Sequence, residues 1–181
     1  AGAVYNSYLN SFMNEDGSVN WLPVCADAHG FVVNKALFEK YNIPLPTDYK
    51  SFVSACQAFE KVGIRGFAAD YFYDYTCMET LQGLSASELS STDGRKWRTA
   101  YSDPASTEKV GLDNVVWPAA FDRMEQFIKD TKLEPDDINL NYDMVDNLYQ
   151  NGELAMYFGS SFGVKKYKDQ GIDTVFLPFF E

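Results

Sequence analysis

The chain has 181 residues and a mass of 20.5 kDa, with 26 acidic against 15 basic side chains, a formal net charge of −11 and aromatic residues at 16%. At about 100–200 residues per domain this is one ordinary domain, and a chain of this size buries roughly 70% of its unfolded surface without help from disulfides or metals. A sequence pI near 4.5 argues against a nucleic-acid partner or an anionic membrane gripped through a basic face, and no apolar run is long enough to span a bilayer.

In chain order, Asp16-Gly17-Ser18 reads as a turn between Phe12 and Trp21. Trp21–Val24 and Gly30–Val33 read as short strands. Asn34 is placed to cap a short helix over Lys35–Tyr41, which Pro44 and Pro46 end. Thr47 is expected to cap the next helix, whose apolar stripe is Tyr49, Phe52, Val53, Cys56 and Phe59, with Gly63 as its C-terminal stop. Ile64–Ala69 reads as a strand and Thr76–Leu84 as a helix. Ser85–Pro104, rich in Ser, Thr, Asp and Gly, reads as a long surface loop or a small hairpin. Pro118 suits the first turn of a helix reaching about Lys132, with Phe121, Met124, Phe127 and Ile128 inward. Asp143–Gln150 reads as helix and Leu154–Phe158 as a buried strand. Ser160 or Ser161 is expected to cap a helix through Lys168, and Asp173–Leu177 is the last strand. Helices and short strands alternate, so the class is α/β with helices dominant.

Three chemistries lack their residues. Cys25, Cys56 and Cys77 form no C-x-x-C, and Cys56 sits in the apolar stripe as a core residue. His29 is the only imidazole, and no G-x-S-x-G, H-E-x-x-H, Walker or dinucleotide-binding motif accompanies it. The Glu134–Asp137 cluster lacks calcium-loop spacing and reads as solvated surface. No cofactor and no metal are expected.

One stretch carries ligand chemistry. Asp70-Tyr71-Phe72-Tyr73-Asp74-Tyr75 directly follows a predicted strand. A sugar ring offers an apolar C–H face and a rim of hydroxyls, and it is held by flat aromatic faces edged with acceptors. Such loops at strand ends are where α/β proteins hold ligands. The competing reading is that some of these rings pack beneath the loop.

Five segments resemble, in order, the extracellular solute-binding proteins of ABC importers, the group that includes the maltodextrin-binding protein. Asp16–Val24 is similar to that family's D-G-K-x-Y-G-L-P, and Phe31–Phe38 to its x-x-Y-N-K-D-L-F. Pro46–Phe52 is similar to P-x-T-W-D-E-F, although Asp48 and Tyr49 depart from the Trp-Asp order. Gly152–Ser160 resembles G-x-A-A-M-x-x-x-G, and Val175–Pro178 the closing x-x-P-x-P strand. The resemblance implies a helix-rich single lobe of a two-lobed, type II periplasmic-binding-protein-like fold. All five segments belong to that family's second, C-terminal lobe. Residues 1–181 are therefore expected to be a single domain, that second lobe, with the first lobe absent from the chain.

The resemblance also implies a role. A sugar or oligosaccharide is bound in the interlobe cleft and delivered to the ABC permease subunits. The location is extracellular or periplasmic, with lipid anchoring of the full-length protein. It gives Asp70, Tyr71, Tyr73, Asp74 and Tyr75 ligand-binding roles by position. Phe162 takes the place of a stacking aromatic, Asp27 that of a ligand carboxylate, and Ser160 and Ser161 donate to a ligand or cap a helix. No catalytic residue is implied. Two further readings stay open: a carbohydrate-active enzyme domain using a carboxylate pair among Asp27, Asp70 and Asp74, and a domain gripping a protein through its tyrosines.

Overall fold

The computed structural model describes residues 12–22, 24–107, 110–113 and 116–180. At its centre is β1 (His29–Asn34), buried at every position after His29. Such continuous burial marks a strand covered on both faces. β1 lies between β3 (Leu154–Ser160) and β4 (Thr174–Leu177) and is antiparallel to both. Phe31 faces Phe158 on one side and Leu177 on the other. β2 (Arg65–Ala68) joins the far edge parallel to β3, giving the order β2-β3-β1-β4.

The pleat sends alternate side chains to two helical layers. Phe31, Val33, Phe67, Met156 and Phe158 face α1 (Lys35–Lys40), α2 (Tyr49–Lys61) and α6 (Trp117–Asp130). Val32, Ala68 and Tyr157 face α7 (Tyr142–Gln150) and α8 (Gly163–Asp169). A third cluster, Leu81, Trp117 and Ala120 with Leu89 and Trp97, ties α3 (Asp74–Leu84) to α4 (Ala86–Ser90), α5 (Thr92–Ser102) and α6.

Most element boundaries follow the sequence reading, with four corrections. Residues 85–104 are neither loop nor hairpin but the two helices α4 and α5. Two of these loop-like residues start α5: the Ser91 hydroxyl accepts from Gly94 N at 3.0 Å, and Asp93 lies in the first turn. Gly94 lets the two helices meet, since a Cβ there would lie 2.0 Å from the Glu88 carbonyl oxygen. Second, Trp21, Leu22 and Val24 form no strand and are exposed, while Pro23 lies outside the described residues. Third, α2 is capped by Asp48 rather than Thr47. Its carboxylate accepts from Ser51 N at 2.7 Å, and the Ser51 hydroxyl accepts from Asp48 N at 3.0 Å. Fourth, neither Ser160 nor Ser161 caps α8, which starts after Phe162 with no side-chain cap. Ser161 spends its hydroxyl on Asp27 instead.

β2 passes directly against α2. A Cβ at Gly66 would lie 2.5 Å from Cys56 Cα, a backbone atom that cannot swing away. Gly66→Ala is expected to cost about 1–3 kcal/mol through overpacking, read as a lower urea midpoint. The same packing makes Cys56 inert. Its thiol is buried, and burial, then the nearby Glu60, pushes its pKa well up. Cys25 is exposed. A thiol-reactive dye is expected to label Cys25 at once and Cys56 only in denaturant.

Candidate functional site

A cavity of about 250 Å³ opens beside the carboxyl end of β3. Four pieces of chain build it. β3 contributes Tyr157, Phe158, Gly159 and Ser160, the α8 start brings Phe162 and Gly163, and His29 stands at the head of β1. The β2–α3 junction supplies Asp70, Tyr75, Thr76 and Glu79, and α7 supplies Tyr142, Val145 and Asp146. β2 ends one residue short of Ala69, so Asp70 is carried to the mouth of the site by the strand itself. Tyr75, Thr76 and Glu79 follow at helical spacing and share one face of α3.

Two polar networks hold the walls. Tyr157 donates to the Tyr167 hydroxyl at 3.1 Å, and Tyr167 donates to Asp146 at 2.7 Å. Lys166 donates to Asp146 at 2.7 Å and to the Tyr142 hydroxyl at 3.0 Å. Burial alone would raise the Asp146 pKa, but the bonds from Lys166 and Tyr167 outweigh it and hold the carboxyl below its usual range. At the rim, His29 Nδ1 lies 3.0 Å from Glu79 Oε2, and its Nε2 lies 3.9 Å from Asp27 Oδ2. Asp27 accepts from its neighbour Ala28 N at 2.9 Å and from the Ser161 hydroxyl. Ser161 N in turn donates to the Ala28 carbonyl at 2.9 Å.

Asp70 differs from these. It is half-buried, and among the described residues it makes no ion pair; its side-chain partner is the Thr76 hydroxyl, which donates at 3.1 Å. Burial pushes its pKa up, with Glu79 adding to the shift while the Thr76 bond opposes it. The sign for stability follows. A raised folded-state pKa gives stability below the ordinary value of 3.8 that is lost as pH rises through the folded value. Asp70→Asn is therefore expected to raise the melting temperature at pH 7 and leave it unchanged at pH 3, as measured by calorimetry.

Of the residues expected from the sequence, Asp70, Tyr75, Ser160 and Phe162 line the cavity together. Phe162 is 74% exposed. Tyr73 backs Tyr75 in a stack with centroids 5.5 Å apart. Asp27 and Ser161 meet at the rim, and Asp74 is exposed on the first turn of α3. Tyr71 is placed differently: its ring is 8% exposed inside the main core and does not line the cavity. The alternation that turns Asp70 toward the mouth turns Tyr71 the other way, and among the described residues its buried hydroxyl has no hydrogen-bond partner.

Tyr142, Asp146, Glu79 and Tyr157 escaped the sequence reading. Glu79 had a signal, since it falls one helical turn beyond Tyr75 and Thr76. Tyr142 and Asp146 had none, because α7 is brought to the site only by packing on β3.

Comparison with known proteins fits this fold. The bacterial extracellular solute-binding protein family matches residues 2–180. No curated protein sequence matches the chain. Among solved structures, a probable secreted solute-binding lipoprotein from Streptomyces coelicolor superposes with a TM-score of 0.74 at 16% identity, covering 99% of this chain and 44% of that one. A solute-binding protein, RafE, in complex with raffinose gives 0.72 at 18% identity, covering 99% and 47%. A chitin oligosaccharide binding protein gives 0.69 at 17% identity, covering 96% and 42%. The chain thus spans less than half the length of these three structures, and its helix-rich architecture with a small mixed sheet corresponds to a single lobe of their fold. With almost its whole length matched by one family, the chain belongs to the bacterial extracellular solute-binding proteins.

Proposed function

We propose that this chain is the second lobe of a two-lobed binder that captures a sugar or oligosaccharide outside the cell and hands it to an ABC permease. The observation that carries this is the composition of the cavity wall. Exposed rings, Tyr75, Tyr142 and Phe162, alternate there with the acceptors Asp70, Glu79 and Asp146. That is the mixture a sugar ring needs. The match to less than half of each solved relative supports the one-lobe reading, and a first lobe would close the open side of the cavity by hinge rotation. The full-length protein is lipid-anchored in this reading and has a mass about twice that of the chain, close to the upper size at which cores split into lobes.

Calorimetry of the full-length protein with a panel of oligosaccharides tests the reading, with chromatography of the same mixtures. Binding without turnover is expected; cleavage products would favour the enzyme reading instead. Tyr75→Ala is expected to weaken sugar affinity by about 1–3 kcal/mol without loss of melting temperature, because that ring is exposed. Tyr71→Ala is expected to do the opposite, losing melting temperature, because its ring is core.

A further inference from the structure

The charge balance of the cavity narrows the class of ligand. We propose that the site selects an amino sugar in its free-amine form and seats the protonated amine at Asp70, a conclusion that rests on the sugar-binding reading and refines it.

Three carboxylates reach the cavity wall, those of Asp70, Glu79 and Asp146. Two already have nitrogen partners. Lys166 donates to Asp146, and His29 stands 3.0 Å from Glu79. Among the described residues Asp70's side-chain partner is the Thr76 hydroxyl, and no Lys or Arg lines the cavity. A half-buried carboxylate without a cation is unfavourable, and neutral hydroxyls fill its lone pairs without neutralising its charge. A ligand ammonium does both.

The surroundings suit that ion. An ammonium carries three donors and no acceptor, so it needs several oxygens around it. Ser160 lines the same cavity, and among the described residues its buried hydroxyl has no hydrogen-bond partner, so a small rotation would offer an ammonium a second oxygen beside Asp70. The exposed ring of Tyr75 offers a face for cation–π contact, whereas Tyr142 already has the Lys166 ammonium 5.0 Å from its centroid; the sugar body can lie on Phe162. The chain's net charge of −11 adds a long-range field that draws cations in.

Nuclear magnetic resonance titration of the ¹⁵N-labelled chain tests this, since it detects weak binding by one lobe. The probes are a glucosamine dimer with free amines, its N-acetylated twin, the corresponding glucose dimer, and a linear diamine. The free-amine dimer is expected to move the Tyr75 and Ser160 amides and to bind tighter than either neutral dimer by on the order of tenfold to a hundredfold, the usual worth of a charge-assisted hydrogen bond. The preference should shrink as salt is added. Asp70→Asn should erase it while neutral dimers still bind. Equal or tighter binding of a neutral dimer, or a preference that survives Asp70→Asn, would overturn the amine assignment and leave the sugar reading standing. A diamine binding as tightly as the dimer would overturn the assignment of a sugar body. If none of the three dimers moves the cavity residues, the amine assignment falls, while the sugar reading is decided separately by the calorimetry of the full-length protein.

Discussion

Phe52→Ala is expected to lower unfolding stability by about 3–5 kcal/mol, the upper range for deleting a core ring. Phe52 is fully buried and lies where both sides of the main core meet. Its ring stacks on Phe31 of β1 at 4.7 Å and on Phe127 of α6 at 5.9 Å, and meets Phe67 of β2 edge-on at 5.8 Å. One truncation therefore strips contacts from three elements. The neighbours are themselves aromatic and rigid, so they cannot collapse into the space. Native domains have about 5–15 kcal/mol in total, so the variant is expected to be marginal at 37 °C. Urea unfolding followed by circular dichroism measures it. Phe52→Leu, which refills much of the volume, should recover most of the loss; an unchanged midpoint for the alanine variant would contradict the placement of this ring.

Asp137→Ala is expected to cost nearly as much, about 3 kcal/mol, for a different reason. The carboxylate is almost buried, pairs with Arg65 of β2, and accepts from Glu134 N at 2.8 Å. Arg65 in turn donates to the Phe67 carbonyl at 3.0 Å, so the pair clamps the segment before α7 onto the sheet edge. Removing the acid leaves a largely buried guanidinium and an unmet backbone donor. Asp137→Asn keeps the second contact and should lose less. The double variant Arg65→Met/Asp137→Leu should regain much of the loss, because two apolar side chains leave no orphaned charge. A double variant no more stable than Asp137→Ala would show that packing, not charge, sets the cost.

These two residues mark how far the sequence could be read. Phe52 was legible because its stripe recurs at helical spacing, and period and burial are the same information in a helix that packs on a sheet. Asp137 was read as solvated surface with its acidic neighbours, since nothing local says that Arg65, far back in the chain, will meet it. The helices α4 and α5 failed for a related reason. The α5 cap, Ser91, looks like a loop residue, and what holds the two helices is packing between elements, Trp97 against Trp117 at 5.3 Å and Leu89 in the same cluster. At the site, Asp70 and Tyr75 were legible as a composition placed after a strand. Tyr71 lies in the core because the pleat at the strand end decides which neighbours face inward, and that phase is set by pairing with β3. Tyr142 and Asp146 carried no local mark at all.

The sheet order has a consequence for how the chain acquires its shape. β1 is the central strand on which both layers rest, yet its two partners are synthesised roughly 125 residues later or more, a separation that makes closure slow and entropically costly. Until then its Phe-Val-Val run has both hydrogen-bonding edges open, the condition in which nascent chains stick to one another. A chain emerging on a ribosome is thus expected to need shielding until β4 is released, and refolding from urea should be slow and concentration-sensitive even where the finished fold is secure.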